Sequence, residues 1–162
     1  MKMKKIILLL TIVSLTSTAC IPYNVDKETY TPIFMSRETL GNSVKYIAGG
    51  RDMIQTGKIY YRAPYIYVNE RYKGVHVINN TNPANPVNEG FILAPGCIDM
   101  AVKGNILYID NAVDLVSIDL DSRQVTKRIR DVFPEPLPPD DFFHRINNRP
   151  AGYILVEWIK NN

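Results

Sequence analysis

Few side chains in this sequence suit covalent or metal chemistry: Cys20, Cys97, His76 and His144 are the only cysteines and histidines. A nucleophilic thiol needs a base within hydrogen-bond reach, and neither histidine lies near Cys97 in sequence. Cys97 therefore reads as a small buried core residue. Asp119, Asp121 and Ser122 crowd together, with Asp110 and Asp114 close by. Alternating oxygens suit calcium, but no glycine and closing glutamate follow at the spacing of a calcium loop. Hairpin turns, where carboxylates accept from local N–H groups, suit these acids better. Two distant histidines and no cysteine pair do not make a zinc site. The expectation is therefore no metal and no cofactor.

Asp140-Asp141 is the only pair of adjacent carboxylates, and Phe142-Phe143-His144 follows it. Glycoside hydrolysis places two carboxyl groups on either side of one bond, a geometry that chain neighbours rarely reach. A solvated loop fits these residues better. That loop starts proline-rich, Pro134-Glu135-Pro136-Leu137-Pro138-Pro139, and a long loop of this kind can cover a pocket. Asp140, Asp141, Phe142, Phe143 and His144 are thus the candidate ligand-facing residues. The chain has 10 tyrosines, among them Tyr60, Tyr61, Tyr65, Tyr67 and Tyr72. Amphipathic rings suit sugar-binding surfaces and suit strands equally. The sequence offers no glycine-rich phosphate loop, nucleophile elbow or Cys-x-x-Cys pair. No catalytic residue is assigned, and the pattern favours a non-enzyme.

The N-terminus is organised differently. Lys2, Lys4 and Lys5 precede an apolar run from Ile6 to Leu15, and Thr16-Ser17-Thr18-Ala19-Cys20 follows. A charged start, a short apolar stretch and small residues make a secretory signal, while a membrane span needs roughly 20 apolar residues. The segment resembles the bacterial lipobox, in which small residues precede a cysteine that receives diacylglycerol. Ser17 stands where that motif usually has Leu, with Leu15 two residues early. The resemblance implies cleavage before Cys20 and a lipid on its sulfur. Each buried lipid methylene contributes about 0.8 kcal/mol, so several chains anchor stably. Losing residues 1–19 removes three lysines and no acid, which leaves 16 basic against 16 acidic residues. The mature chain is then neutral, and nucleic acid, which needs a basic patch, is not an expected partner.

The body of the chain must come from strands. Ile59-Tyr60-Tyr61, Tyr65–Val68, Val75–Ile78, Phe91–Leu93, Ile98–Val102, Ile106–Ile109, Leu115–Ile118 and Val125–Ile129 are short runs rich in β-branched and aromatic residues. Gly, Asn, Asp or Pro bounds them. Several are apolar throughout, as in strands covered on both faces. Consecutive runs are expected to pair antiparallel as hairpins. Ser36-Arg37-Glu38-Thr39-Leu40 predicts a short helical turn. Gly49-Gly50 predicts a break. Ile21–Pro32, polar and proline-interrupted, predicts a tether.

A repeat of about 40 residues runs through this region. Tyr67-Val68-Asn69 matches Tyr108-Ile109-Asp110, and Val77-Ile78-Asn79 matches Ser117-Ile118-Asp119. Units of four short strands at this period point to β-propeller blades. The stretch Tyr65–Glu70, followed by Lys73-Gly74-Val75-His76-Val77-Ile78-Asn79 and the Pro83-Ala84-Asn85-Pro86 turn, resembles the LVIVD repeat. Asn79 stands where that repeat usually has Asp. The second unit, Asn105 to Leu120, keeps Asp119 and lacks the prolines. The whole chain is similar to uncharacterised lipoproteins of Bacteroidota-type bacteria that carry such repeats. The resemblance covers residues 57–130 well and implies an extracytoplasmic propeller-like fold without implying a reaction.

Together these observations give an all-β expectation: antiparallel four-stranded blades of a partial β-propeller, about two in number. Residues 1–19 are the signal peptide, 20–56 a lipid-anchored tether and lead-in, and 57–162 the repeats. Propellers usually have four to eight blades, so a truncated member of the family is expected. A strand around Tyr153–Trp158 is expected to present an open edge, inviting self-association or another protein. The functional expectation is a non-catalytic interaction module in the cell envelope, held to the membrane, most plainly the outer one, through Cys20. The alternative is an enzyme or a carbohydrate-handling accessory acting through loop 134–150.

Overall fold

Two sequential meanders of β-strands, joined through Ala94–Asp99, make up the body of the protein. The structure is a computed structural model and describes residues 30–140, 146 and 148–161. The strands are β1 Tyr30–Ser36, β2 Lys45–Ala48, β3 Thr56–Arg62, β4 Tyr65–Glu70, β5 Gly74–Asn79, β6 Val87–Leu93, β7 Met100–Lys103, β8 Ile106–Asn111, β9 Asp114–Asp119, β10 Gln124–Ile129 and β11 Tyr153–Lys160. One helical turn, α1, spans Arg37–Gly41. All pairings are antiparallel. The class is therefore all-β, built from antiparallel sheets.

The second meander, β7-β8-β9-β10, is the expected four-stranded unit. The first departs from expectation. Its order is β2-β6-β5-β4-β3, five strands, because β2 pairs with the outer edge of β6 through Lys45↔Leu93 to Ala48↔Gly90. Sequence patterning missed β2 because Lys45-Tyr46-Ile47-Ala48 is only four residues long and ends at the Gly49-Gly50 break. The predicted 98–102 strand starts later, at Met100, because Asp110 takes the Ile98 and Asp99 amides.

β1 and β11 form a third, two-stranded sheet, from Tyr30↔Lys160 to Ser36↔Tyr153. This corrects one expectation: Tyr30–Pro32, expected within a tether, lies in a strand. The terminal strand pairs with β1 on one side and, among the described residues, keeps its other edge without a strand partner. Pro32 is tolerated because the sheet has only edge strands, where a missing N–H need not break a ladder. Residues 30–56 thus carry β1, α1 and β2, and 20–29 lie outside the described residues.

The helical turn is where the sequence placed it. Ser36 is its N-cap, with Oγ accepting from Thr39 N at 3.1 Å, a contact worth about 1 kcal/mol. Leu40, its one buried residue, packs with Ala112 and Val156.

The main core lies between the two meanders. The first sheet contributes Tyr67, Val75, Val77 and Ile92, and the second Met100, Leu107, Ile109, Val116 and Ile118. Full burial of each such side chain stabilises by about 1.5–3 kcal/mol. Gly74 is required at the entrance to β5: its φ is +141°, and a Cβ there would stand 2.0 Å from Ile92 O. The β1/β11 sheet closes one end, with Leu155 and Trp158 packed on Tyr72 in the β4–β5 turn. Val156 meets Ala112 in the β8–β9 turn.

Candidate functional site

Strand register decides which side chains face outward. Opposed residues in an antiparallel pair share a face. Tyr67 lies opposite Val77 and points into the core between the sheets. Val68 lies opposite His76, which lies opposite Phe91, so these three share the other face. In the second sheet the parity is reversed. Leu107 and Ile109 point into the core opposite Ile118 and Val116, while Tyr108 and Ser117 share the outward face.

The outer face of the first sheet is partly covered by the segment after β2. Arg51 lies over the Phe91 ring, 4.9 Å from its centroid. Glu70, buried, accepts from Gln55 N at 2.5 Å and from Ile54 N at 3.2 Å. His76, fully buried, has Nε2 3.3 Å from Glu70 Oε2 and its ring edge-on to Phe91. Asn88 Nδ2 donates to Arg51 O at 3.0 Å. This polar set fastens a loop over a sheet face. Beyond the loop, Ile59 is 69% exposed and Tyr61 60%.

The outer face of the second sheet carries a cleft. It measures about 520 Å³, within the range of small-ligand pockets. Ala101, Tyr108 and Leu115 line it from the sheet, and Phe133–Leu137 line it from the loop. The loop is fixed from behind: Trp158 Nε1 donates to Pro136 O at 2.8 Å. Arg149 donates to both Glu135 oxygens, at 2.8 and 2.6 Å.

The carboxylates around the cleft are engaged within the chain. Asp99 pairs with Lys58 at 2.7 Å. Asp110 accepts from the Ile98 and Asp99 amides, each at 2.9 Å. Burial raises the Asp110 pKa against the pull of those amides. Cys97 is completely buried, and burial followed by the Asp110 charge pushes its thiol well up. Its Sγ is 3.2 Å from Asn69 Nδ2. His76 lies on the opposite face of the first sheet, so the fold does not bring these two together as nucleophile and base.

The acids at the end of β9 and in the turn that follows bond locally. Asp119 Oδ1 accepts from Ser122 N at 2.8 Å and from Ser122 Oγ at 2.9 Å. Asn105 Nδ2 bridges Asp119 and Asp121, at 2.8 and 2.9 Å. The Ser122 amide and hydroxyl lower the Asp119 pKa. Among the described residues, no group of three or more His, Cys, Asp or Glu is placed to hold a metal ion.

Of the loop candidates, Asp140 is half-buried in a turn. Asp141, Phe142, Phe143 and His144 lie outside the described residues, as does Cys20. The described part of the predicted loop does reach the cleft, through Pro134–Leu137. Sequence reasoning did not find Phe133, Tyr108 or Ala101 as lining residues. Phe133 just before the proline run was the available signal.

The buried acid Asp114 belongs to the framework. It accepts from Arg37 Nη1 at 2.6 Å and from Arg128 Nη1 at 2.8 Å. Arg37 also binds Asp131, so α1, β9 and β10 are tied together beside the cleft's supporting strands. Among the described residues, no helix is long and apolar enough to cross a membrane. No protein-family model, curated protein or solved structure matches this chain.

Proposed function

We propose that this protein is a membrane-tethered, extracytoplasmic binding module whose two meanders are blades of a partial β-propeller. Its binding surface is the cleft between the outer face of β7–β10 and Phe133–Leu137. The observation that carries this reading is the cleft itself: open, largely apolar, and ringed by carboxylates engaged within the chain, Asp99 and Glu135 by cations and Asp110 by backbone amides. Such a surface suits an apolar partner, because nothing charged must be desolvated on binding without compensation.

The blade assignment is supported by the reversed parity. Tyr67 and Tyr108 are equivalent in the repeat, yet one faces the shared core and the other faces away. The sheets therefore stack front to back, as successive blades do, rather than front to front. The LVIVD resemblance agrees with that arrangement, and the signal-like segment before Cys20 supplies the tether and the cell-envelope location.

The test is uptake of an environment-sensitive apolar dye, 1-anilinonaphthalene-8-sulfonate, by the full chain. Ala101→Trp fills the cleft from an exposed position and is expected to abolish dye enhancement while leaving the melting transition intact. Undiminished dye binding in that variant overturns the assignment of the surface. A carbohydrate-handling accessory is the second reading. Tyr108 in the cleft wall, with a proline-rich loop at its mouth, favours it.

A further inference from the structure

We infer that residues 51–55, lying over the outer face of the first sheet, form an acid-released strap, and that protonation of the buried His76 releases it.

The strap is held by polar bonds rather than by burial of its own apolar side chains. Ile54 is 82% exposed and Met53 43%. Its ends are pinned by backbone bonds, Gly49 N to Glu89 O at 2.8 Å and Arg71 N to Gln55 O at 2.9 Å. Between them, side chains of the sheet clasp it. Asn88 Nδ2 donates to Arg51 O at 3.0 Å, and Glu70 accepts from the Ile54 and Gln55 amides. A segment with so little buried apolar surface opens at lower cost than a packed strand.

Both clasps meet on one imidazole. His76 Nε2 lies 3.3 Å from Glu70 Oε2, and Nδ1 lies 3.5 Å from Asn88 Nδ2. The Arg51 carbonyl only accepts, so it fixes which end of the Asn88 amide points toward it. The same Nδ2 faces His76. Nδ1 is therefore the accepting nitrogen, and the proton sits on Nε2, toward Glu70. The closed strap is matched to a neutral imidazole.

A second proton breaks the match. An imidazolium donates from both nitrogens, so Nδ1–H confronts the N–H groups of Asn88. Relief requires the amide to turn and present Oδ1, an atom that is buried without a hydrogen-bond partner. The turn sets Nδ2 away from Arg51 O, and that clasp is lost. Two charges act in the same sense. Arg51 lies over the Phe91 ring, against which the imidazole stands edge-on, and its guanidinium repels an imidazolium. Glu70, facing His76 from β4, divides its oxygens between the strap amides and the imidazole. It serves a cation more fully once the strap has left. From β6, the uncharged Asn88 and Phe91 face the ring. The open strap thus binds the proton more tightly than the closed one, and acid shifts the population toward the open state.

Tryptic cleavage after Arg51 reads the strap. At each pH the rate on the full chain is divided by the rate on an unstructured peptide of residues 47–55, which removes the protease's own pH dependence. Between about pH 8 and pH 5, where histidine serves as a switch, the wild-type ratio is expected to rise about tenfold, the factor that one hydrogen bond allows. His76→Gln keeps a donor for Glu70 and an acceptor for Asn88 but takes no proton, and its ratio is expected to stay flat. Asn88→Ala, at a half-buried position, is expected to start near the acid value of the wild type and to rise less than about twofold, because its clasp is already gone. A flat wild-type ratio overturns the inference. So does a full rise in either variant. Where His76→Gln lacks a cooperative melt, the comparison of wild type with Asn88→Ala decides alone.

Discussion

Tyr67 and Tyr108 hold the same place in successive repeat units but face opposite environments. Tyr67 is 2% exposed in the core between the sheets, and Tyr108 lines the open cleft. Tyr67→Ala should therefore cost about 3 kcal/mol or more, as other truncations of large buried side chains do. Tyr108→Ala should cost about 1 kcal/mol or less. Denaturant unfolding of the two variants checks this. Equal losses would mean that the front of the second sheet is already as well covered as the core.

Asp114 offers a stability prediction with a defined pH dependence. Burial opposes its ionisation, but hydrogen bonds from Arg128, the Asp131 amide and Arg37 outweigh burial and lower its pKa. Removing one partner of a buried ionic cluster typically costs about 3–5 kcal/mol, and Asp114→Ala is expected near the lower end because Arg37 and Arg128 keep some solvent contact. The folded pKa lies below the unfolded one, so the contribution is full above the unfolded carboxylate value, roughly pH 4. It is lost as pH falls through the folded pKa. Asp110, whose pKa is raised, acts in the opposite sense. Thermal melts of wild type and Asp114→Asn between neutral and strongly acid pH should converge as pH falls. A constant gap would show that the ionisation of Asp114 is not what links α1 to β9.

Glu70 should govern the segment over the first sheet. Its carboxylate holds the Ile54 and Gln55 amides and contacts His76. Hydrogen bonds to a charged group contribute about 1.5–3 kcal/mol each. Glu70→Gln is thus expected to speed tryptic cleavage after Arg51 on the order of tenfold, one hydrogen bond's worth of opening energy. Unchanged cleavage would place the control of that segment in the Arg51–Phe91 contact instead.

Cys20 should carry the membrane anchor. Cys20→Ser is expected to move the protein from the membrane to the soluble fraction and to abolish incorporation of a labelled fatty acid. Retention of the variant in membranes, together with an unlabelled wild type, would defeat the lipoprotein assignment.

Local chemistry made much of this protein legible in its sequence. Short β-branched runs between turn formers located nine strands approximately, Ser36 marked the helical turn, and Asp119 accepts from the Ser122 amide as a hairpin acid does. Each of these signals acts over a few residues. The pairing of β1 with β11 joins the two ends of the described chain, and no local pattern announces it. The addition of β2 to β6 depends on an edge that exists only after the meander has formed. Facing direction was equally hidden. Tyr65–Val68 and Ile106–Ile109 are apolar on both sides, so period-two alternation cannot say which side turns inward. Only the stacking of the two sheets decided that Tyr67 is core and Tyr108 is cleft, because a face becomes interior when another element covers it.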